Sequence, residues 1–210
     1  MVLNGKRVNF LGDSITEGIG VDRKEHIYVN IIKKRLHLEE VRNYGLSASR
    51  IAAQSGGYPA PFSLSERFQH MDPADVVIIF AGTNDHAHGA APWGSGAECR
   101  KDTFCGALHY LFRGLLTKFP DQEVIVMTPL HREGEDEVNP STLKCLEEYV
   151  MEIKKTAAYY AIPVLDLFQV SGIQPNLAIV KEYCCPDGIH PNAKGHIRIA
   201  DRLEGFLRAL

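Results

Sequence analysis

DVVIIFAG, residues 75–82, holds four consecutive β-branched residues, Val76 to Ile79, bounded by Asp75 and Gly82. The apolar run is continuous, with no polar residue at alternate positions. That pattern predicts a strand covered on both faces, as in a parallel sheet packed between helices. EVIVMT (123–128) repeats it. Three weaker runs read as further strands: RVNFLG (7–12), VRNYG (41–45) and IPVLDL (162–167).

Between these runs the apolar spacing changes to that of helices. Ile27, Ile31 and Leu36 mark one face, and Phe104, Leu108, Leu111 and Leu115 a second. A longer stripe runs through Leu143, Leu146, Val150, Ile153, Ala157 and Tyr160, and another through Ala193, Ile197, Ala200, Leu203 and Leu207. Strands alternating with helices imply right-handed crossovers and an α/β fold, its mostly parallel sheet of about five strands covered on both sides. No repeat or linker divides residues 1–210, so a single domain is expected.

Composition narrows the function classes. Lys and Arg total 23 against 26 Asp and Glu, a formal charge of -3, and no basic block suggests a nucleic-acid partner. The charges of IKKRLHL (31–37) fall on the polar side of a helix. No apolar run reaches membrane-spanning length, and the N-terminal stretch lacks a signal-like apolar core, so a cytoplasmic protein without membrane insertion is expected. The odd set of five cysteines fits reduced thiols, mostly buried as small apolar residues. Their spacing matches no zinc pattern, and oligomeric state is not legible.

In such a sheet ligands bind beyond the carboxyl ends of the strands, so the loops there are the place to look. After the first strand, GDSITEG (12–18) puts Ser14 in a tight turn of small residues. It reads either as a plain turn or as an exposed nucleophile with a usable N–H. Neither phosphate-loop pattern, GxxxxGK[ST] nor GxGxxG, is present. After the second strand, NYGLSASRI (43–51) offers Gly45, a turn glycine whose N–H can approach a ligand.

After the third strand, GTNDHAHGAAPWG (82–94) offers the Asn84 amide, which can equally cap a helix. His86 and His88, at i and i+2, reach one metal only on extended backbone, and no carboxylate cluster completes a site; no metal is expected. Near the C-terminus, CCPDGIHPNAKGH (184–196) sets Asp187 three residues before His190. A carboxylate there can hold the imidazole Nδ1–H and leave Nε2 as a base, or Asp187 closes a turn and Asn192 caps the next helix. Together these are the parts of nucleophilic acyl transfer.

The ordered set GDS, NYGLS, GTND and DGIHPN resembles the SGNH, or GDSL, hydrolase superfamily, from the first strand to the last helix. The resemblance implies a three-layer α/β/α, flavodoxin-like doubly wound sheet and esterase or lipase chemistry without metal or cofactor. It implies Ser14 as nucleophile, His190 as general base and Asp187 as its orienting partner. The oxyanion hole would comprise the Ser14 N–H, the Gly45 N–H and the Asn84 side chain. Asp13 and Asp85 match motif positions and are expected to brace loops.

The substrate is read less sharply. Trp93 can wall a sugar or acyl group or anchor a loop on the scaffold. His86, His131 and Arg132 are further candidates for contact; Arg132 suits a carboxylate or phosphate, or is simply a solvated loop charge. No long apolar flap suggests an interfacial lipase. A small-molecule ester is therefore expected, short in its acyl chain, with O-acetylated carbohydrate the favoured case. Rival readings are a lysophospholipase or thioesterase, an acyltransferase of the same fold, and a non-catalytic binding module.

Overall fold

A computed structural model describes residues 1–22, 25–54 and 63–210. Its centre is β3 (Val76–Phe80), buried along its whole length. Beside it lie β1 (Arg7–Gly12), β2 (Glu40–Gly45), β4 (Glu123–Met127) and β5 (Val164–Leu165), in the order β2-β1-β3-β4-β5, every pair parallel. This is the flavodoxin-like order expected of a doubly wound sheet.

Successive side chains of the buried strands enter opposite layers. Val76, Ile78 and Phe80 join Phe10, Ile125 and Met127 in one core, while Val77 and Ile79 join Leu11, Val124 and Val126 in the other. The first core is closed by α2 (Tyr28–Arg35) and α9 (Ala193–Ala209), with α7 (Leu167–Val170) and α8 (Ala178–Cys184) at its rim. The second is closed by α3 (Leu64–Arg67), α5 (Phe104–Lys118) and α6 (Leu146–Tyr159). Two short helices, α1 (Ser14–Glu17) and α4 (Thr83–His88), start directly beyond β1 and β3.

Several details differ from the sequence pattern. Leu143 lies outside α6 at φ 58° and is 73% exposed, because the helix starts only at the Cys145 cap, where Glu148 accepts the Cys145 N–H. Ile197 is exposed, and α9 turns His196, Ile199, Ala200, Leu203 and Leu207 inward. His196 is buried with its Nδ1 accepting the Tyr28 N–H at 3.1 Å. In α2 the buried face is Tyr28, Val29 and Ile32 rather than Ile31. The last strand is two residues long, shorter than its six-residue run.

Register brings the site together. Gly12 pairs with Gly45 on one side and with Phe80 on the other, so β1, β2 and β3 end in step. The chain can pack this closely only without side chains at two positions. A Cβ on Gly12 would lie 2.1 Å from Thr16 Oγ1, and one on Gly45 would lie 2.1 Å from the Glu17 nitrogen. The segments after all three strands therefore emerge together.

Candidate active site

Ser14 is the first residue of α1, and Asp13 caps that helix by accepting the Ile15 N–H at 3.0 Å. The Ser14 hydroxyl is 3.0 Å from His190 Nε2, and His190 Nδ1 is 2.7 Å from Asp187 Oδ2. An ionised carboxylate only accepts, so the proton between them belongs to Nδ1 and the Nε2 lone pair faces serine. Asp187 Oδ1 also accepts the N–H groups of Ile189 (2.8 Å) and His190 (2.6 Å). Burial pushes the Asp187 carboxyl up, but these hydrogen bonds outweigh it and hold the group below the usual carboxylate range. Asn192 fixes the exit from this loop as the cap of α9, accepting from Lys194 and Gly195.

The second face is built by residues 43–52. Arg67 ties three backbone segments together, donating to Gly12 O (2.9 Å), Tyr44 O (2.8 Å) and Ser49 Oγ (2.8 Å). Glu17 accepts the Ser47 N–H at 2.7 Å, and Asn84 Nδ2 donates to Ser49 O at 3.0 Å. Asp85 is buried and accepts the N–H groups of Ile51 (2.8 Å) and Ala52 (3.0 Å). Burial raises its carboxyl to about 7 and that of Asp13 to about 6, each against hydrogen bonds that pull it down.

Gly45 departs from its expected role. Its N–H donates to Asn43 Oδ1 at 2.8 Å, and its missing side chain serves the approach to α1. Ala48, three residues on, has a left-handed backbone at φ 60°, and its N–H has no hydrogen-bond partner among the described residues. Sequence reading missed this position because alanine carries no turn signal. It also missed Arg67, whose partners lie as far as 55 residues away.

The candidate substrate contacts separate into scaffold and rim. Trp93 packs on Phe104 and Tyr149, with ring centroids 5.1 Å from each, as an anchor of the second core. His86 is buried, with Nε2 2.8 Å from Glu137 O, so it holds a loop rather than facing a ligand. His86 and His88 both lie on helix α4, where i and i+2 side chains diverge. His131 stacks on Phe168 at 3.7 Å and pairs with Glu135 at 2.7 Å. Arg132 is half-buried and reaches Thr83 Oγ1 at 3.3 Å, beside Asn84.

A family model for the GDSL-like Lipase/Acylhydrolase family matches residues 10–198. The chain belongs to that family. An acetylxylan esterase from Xylanibacter ruminicola is 23% identical, with 96% of this chain and 43% of that protein covered. The chain thus spans less than half the length of that relative. A solved protein from Lactobacillus plantarum superposes with a TM-score of 0.86 at 28% identity, covering 99% of this chain and 98% of its own. An acetyl-xylooligosaccharide esterase variant from Geobacillus Stearmophilus shares the fold, with a TM-score of 0.63 at 20% identity over 98% and 95% of the two chains. Among the described residues no helix is long and apolar enough to cross a membrane.

Proposed function

We propose that this family member is a serine esterase that cleaves small acyl esters, acetyl first, through an acyl-enzyme. The observation that carries this reading is the relay in which His190 lies 3.0 Å from Ser14 Oγ and 2.7 Å from Asp187. His190 Nε2 takes the Ser14 proton as Oγ attacks the ester carbonyl. Asp187 keeps the imidazole in the required tautomer and stabilises the imidazolium that forms. The imidazolium then protonates the leaving alcohol as the ester C–O bond breaks. Water, deprotonated by the same nitrogen, attacks the acyl-serine, and its proton returns to Ser14.

The tetrahedral intermediate needs donors already in place. We assign these to the Ser14 N–H, the Ala48 N–H and the second amide hydrogen of Asn84. The Ala48 N–H replaces that of Gly45, which Asn43 already accepts. O-acetylated carbohydrate is the substrate class we favour, supported by the names of the acetylxylan and acetyl-xylooligosaccharide relatives.

The test is hydrolysis of p-nitrophenyl acetate, butyrate and longer esters by wild type and Ser14→Ala, with fluorophosphonate labelling alongside. A working relay loses kcat on the order of 10⁶-fold without the serine and labels only when Ser14 is present. Equal slow rates and no labelling of either protein would overturn the reading in favour of a binding module.

A further inference from the structure

Three arginines lie around the site. Arg67 is committed to the scaffold through Gly12, Tyr44 and Ser49, and Arg50 is held under the field of Asp85. Arg132 is different. Its Nε donates to Glu133 O at 3.1 Å and its Nη1 to Thr83 Oγ1 at 3.3 Å, and no carboxylate oxygen lies within 4.0 Å of its guanidinium among the described residues. The acidic side chains beside it in sequence are engaged elsewhere: Glu133 with Lys181 at 2.5 Å, and Glu135 with His131 at 2.7 Å.

The segment that carries Arg132 is fixed against the site. Its own N–H donates to Glu135 Oε2 at 3.2 Å, and the following N–H, of Glu133, donates to Gly188 O at 2.9 Å, inside the Asp187–His190 loop. Glu135 is nearly buried and also accepts from Asn176 at 2.9 Å. The guanidinium thus lies beside Thr83, neighbour of Asn84, in the fields of Asp13, Glu137 and Asp187. A partly desolvated guanidinium without a carboxylate partner is costly unless an anion meets it. With three carboxylates nearby, a single negative charge suits it better than a dianion.

We infer that Arg132 recognises a carboxylate on the substrate, so that this site prefers esters of acidic molecules, such as O-acetylated acidic sugars or hydroxy acids. This rests on the esterase reading above and names the substrate class of the same site. The carboxylate can sit on the alcohol or on the acyl part, and matched ester pairs separate the two. One pair is 4-acetoxybenzoate and its methyl ester; the other is mono-p-nitrophenyl succinate and its methyl ester.

For each pair the ratio of kcat/KM, anionic over neutral, is measured in wild type, Arg132→Gln and Arg132→Lys. The ratio is expected to fall roughly tenfold to a hundredfold in Arg132→Gln for one pair, and less in Arg132→Lys. Ratios unchanged by Arg132→Gln in both pairs would overturn the inference, as would equal losses on the anionic and neutral esters. A second measurement does not depend on turnover. Calorimetry of succinate with Ser14→Ala and with Ser14→Ala/Arg132→Gln should show binding at least about tenfold weaker without the arginine. Equal binding in the two proteins overturns the inference. Succinate binding that depends on Arg132, in a protein that cleaves no ester, overturns the esterase reading instead and leaves the anion site standing.

Discussion

Asp187 and Asp85 are the same residue type at the same end of one sheet, and they do opposite things. Asp187 is about half exposed, with its carboxyl held low by His190 and Ile189. Asp85 is 4% exposed, with its carboxyl raised by burial to about 7 while it grips two N–H groups of the 51–52 segment. The first keeps a charge available to an imidazole. The second pins a loop and tolerates losing its charge. Environment, rather than residue type, sets the two carboxyls apart.

The largest break in this contrast should come from Asp187→Asn. Without the carboxylate the imidazole takes the wrong tautomer, and kcat is expected to fall by about 10⁴-fold while the melting temperature holds. Steady-state kinetics beside calorimetry checks both halves; a large fall in melting temperature would make Asp187 a brace as well. Next in size is Asn84→Ala, on the face that Asp85 supports. Loss of an oxyanion donor should lower kcat by about 10²- to 10³-fold with little change in KM. A loss confined to KM would remove Asn84 from the transition state.

Asp85→Asn should act on stability, destabilising by about 2 kcal/mol as the Ile51 and Ala52 donors lose their shared carboxylate. Its pH dependence has a definite sign. The folded pKa of Asp85 lies above the ordinary carboxylate value, so between about pH 4 and 7 the folded protein binds the extra proton and the contribution of Asp85 declines as pH rises. The difference between wild type and Asp85→Asn in urea unfolding should therefore shrink from pH 5 to pH 8. A difference that grows would reverse the assignment. The smallest effect is expected from Ala48→Gly, which relieves a left-handed alanine and should stabilise by less than about 1 kcal/mol in the same assay.

Much of this was legible in sequence for a simple reason. β3 and β4 are buried on both faces, so their Val and Ile runs leave little ambiguity. Ser14, Asp187 and His190 were legible because each belongs to a compact local motif, and the structure brings them into contact. What escaped depends on contacts between distant segments. Trp93 gives no sequence sign of facing Phe104 and Tyr149. Two local details also carried no signal: the Asn43 side chain, two residues back in β2, takes the Gly45 N–H, and the left-handed turn falls at Ala48, a residue type that rarely marks one. His196 breaks the apolar stripe of α9 because its ring nitrogen receives the otherwise unpaired Tyr28 N–H at the start of α2.

Among the described residues, the order β2-β1-β3-β4-β5 leaves β2 and β5 each with one neighbour, and an unpaired strand flank is a template on which another chain can align. Here both flanks are poor templates. β5 is only two residues long, and β2 carries Glu40 and Arg42, paired with each other, and Asn43, which binds Thr16 O. A second strand laid along either flank would find a short ladder or a charged one. Each flank thus offers a further strand little to pair with: two residues on one side, and charged side chains on the other.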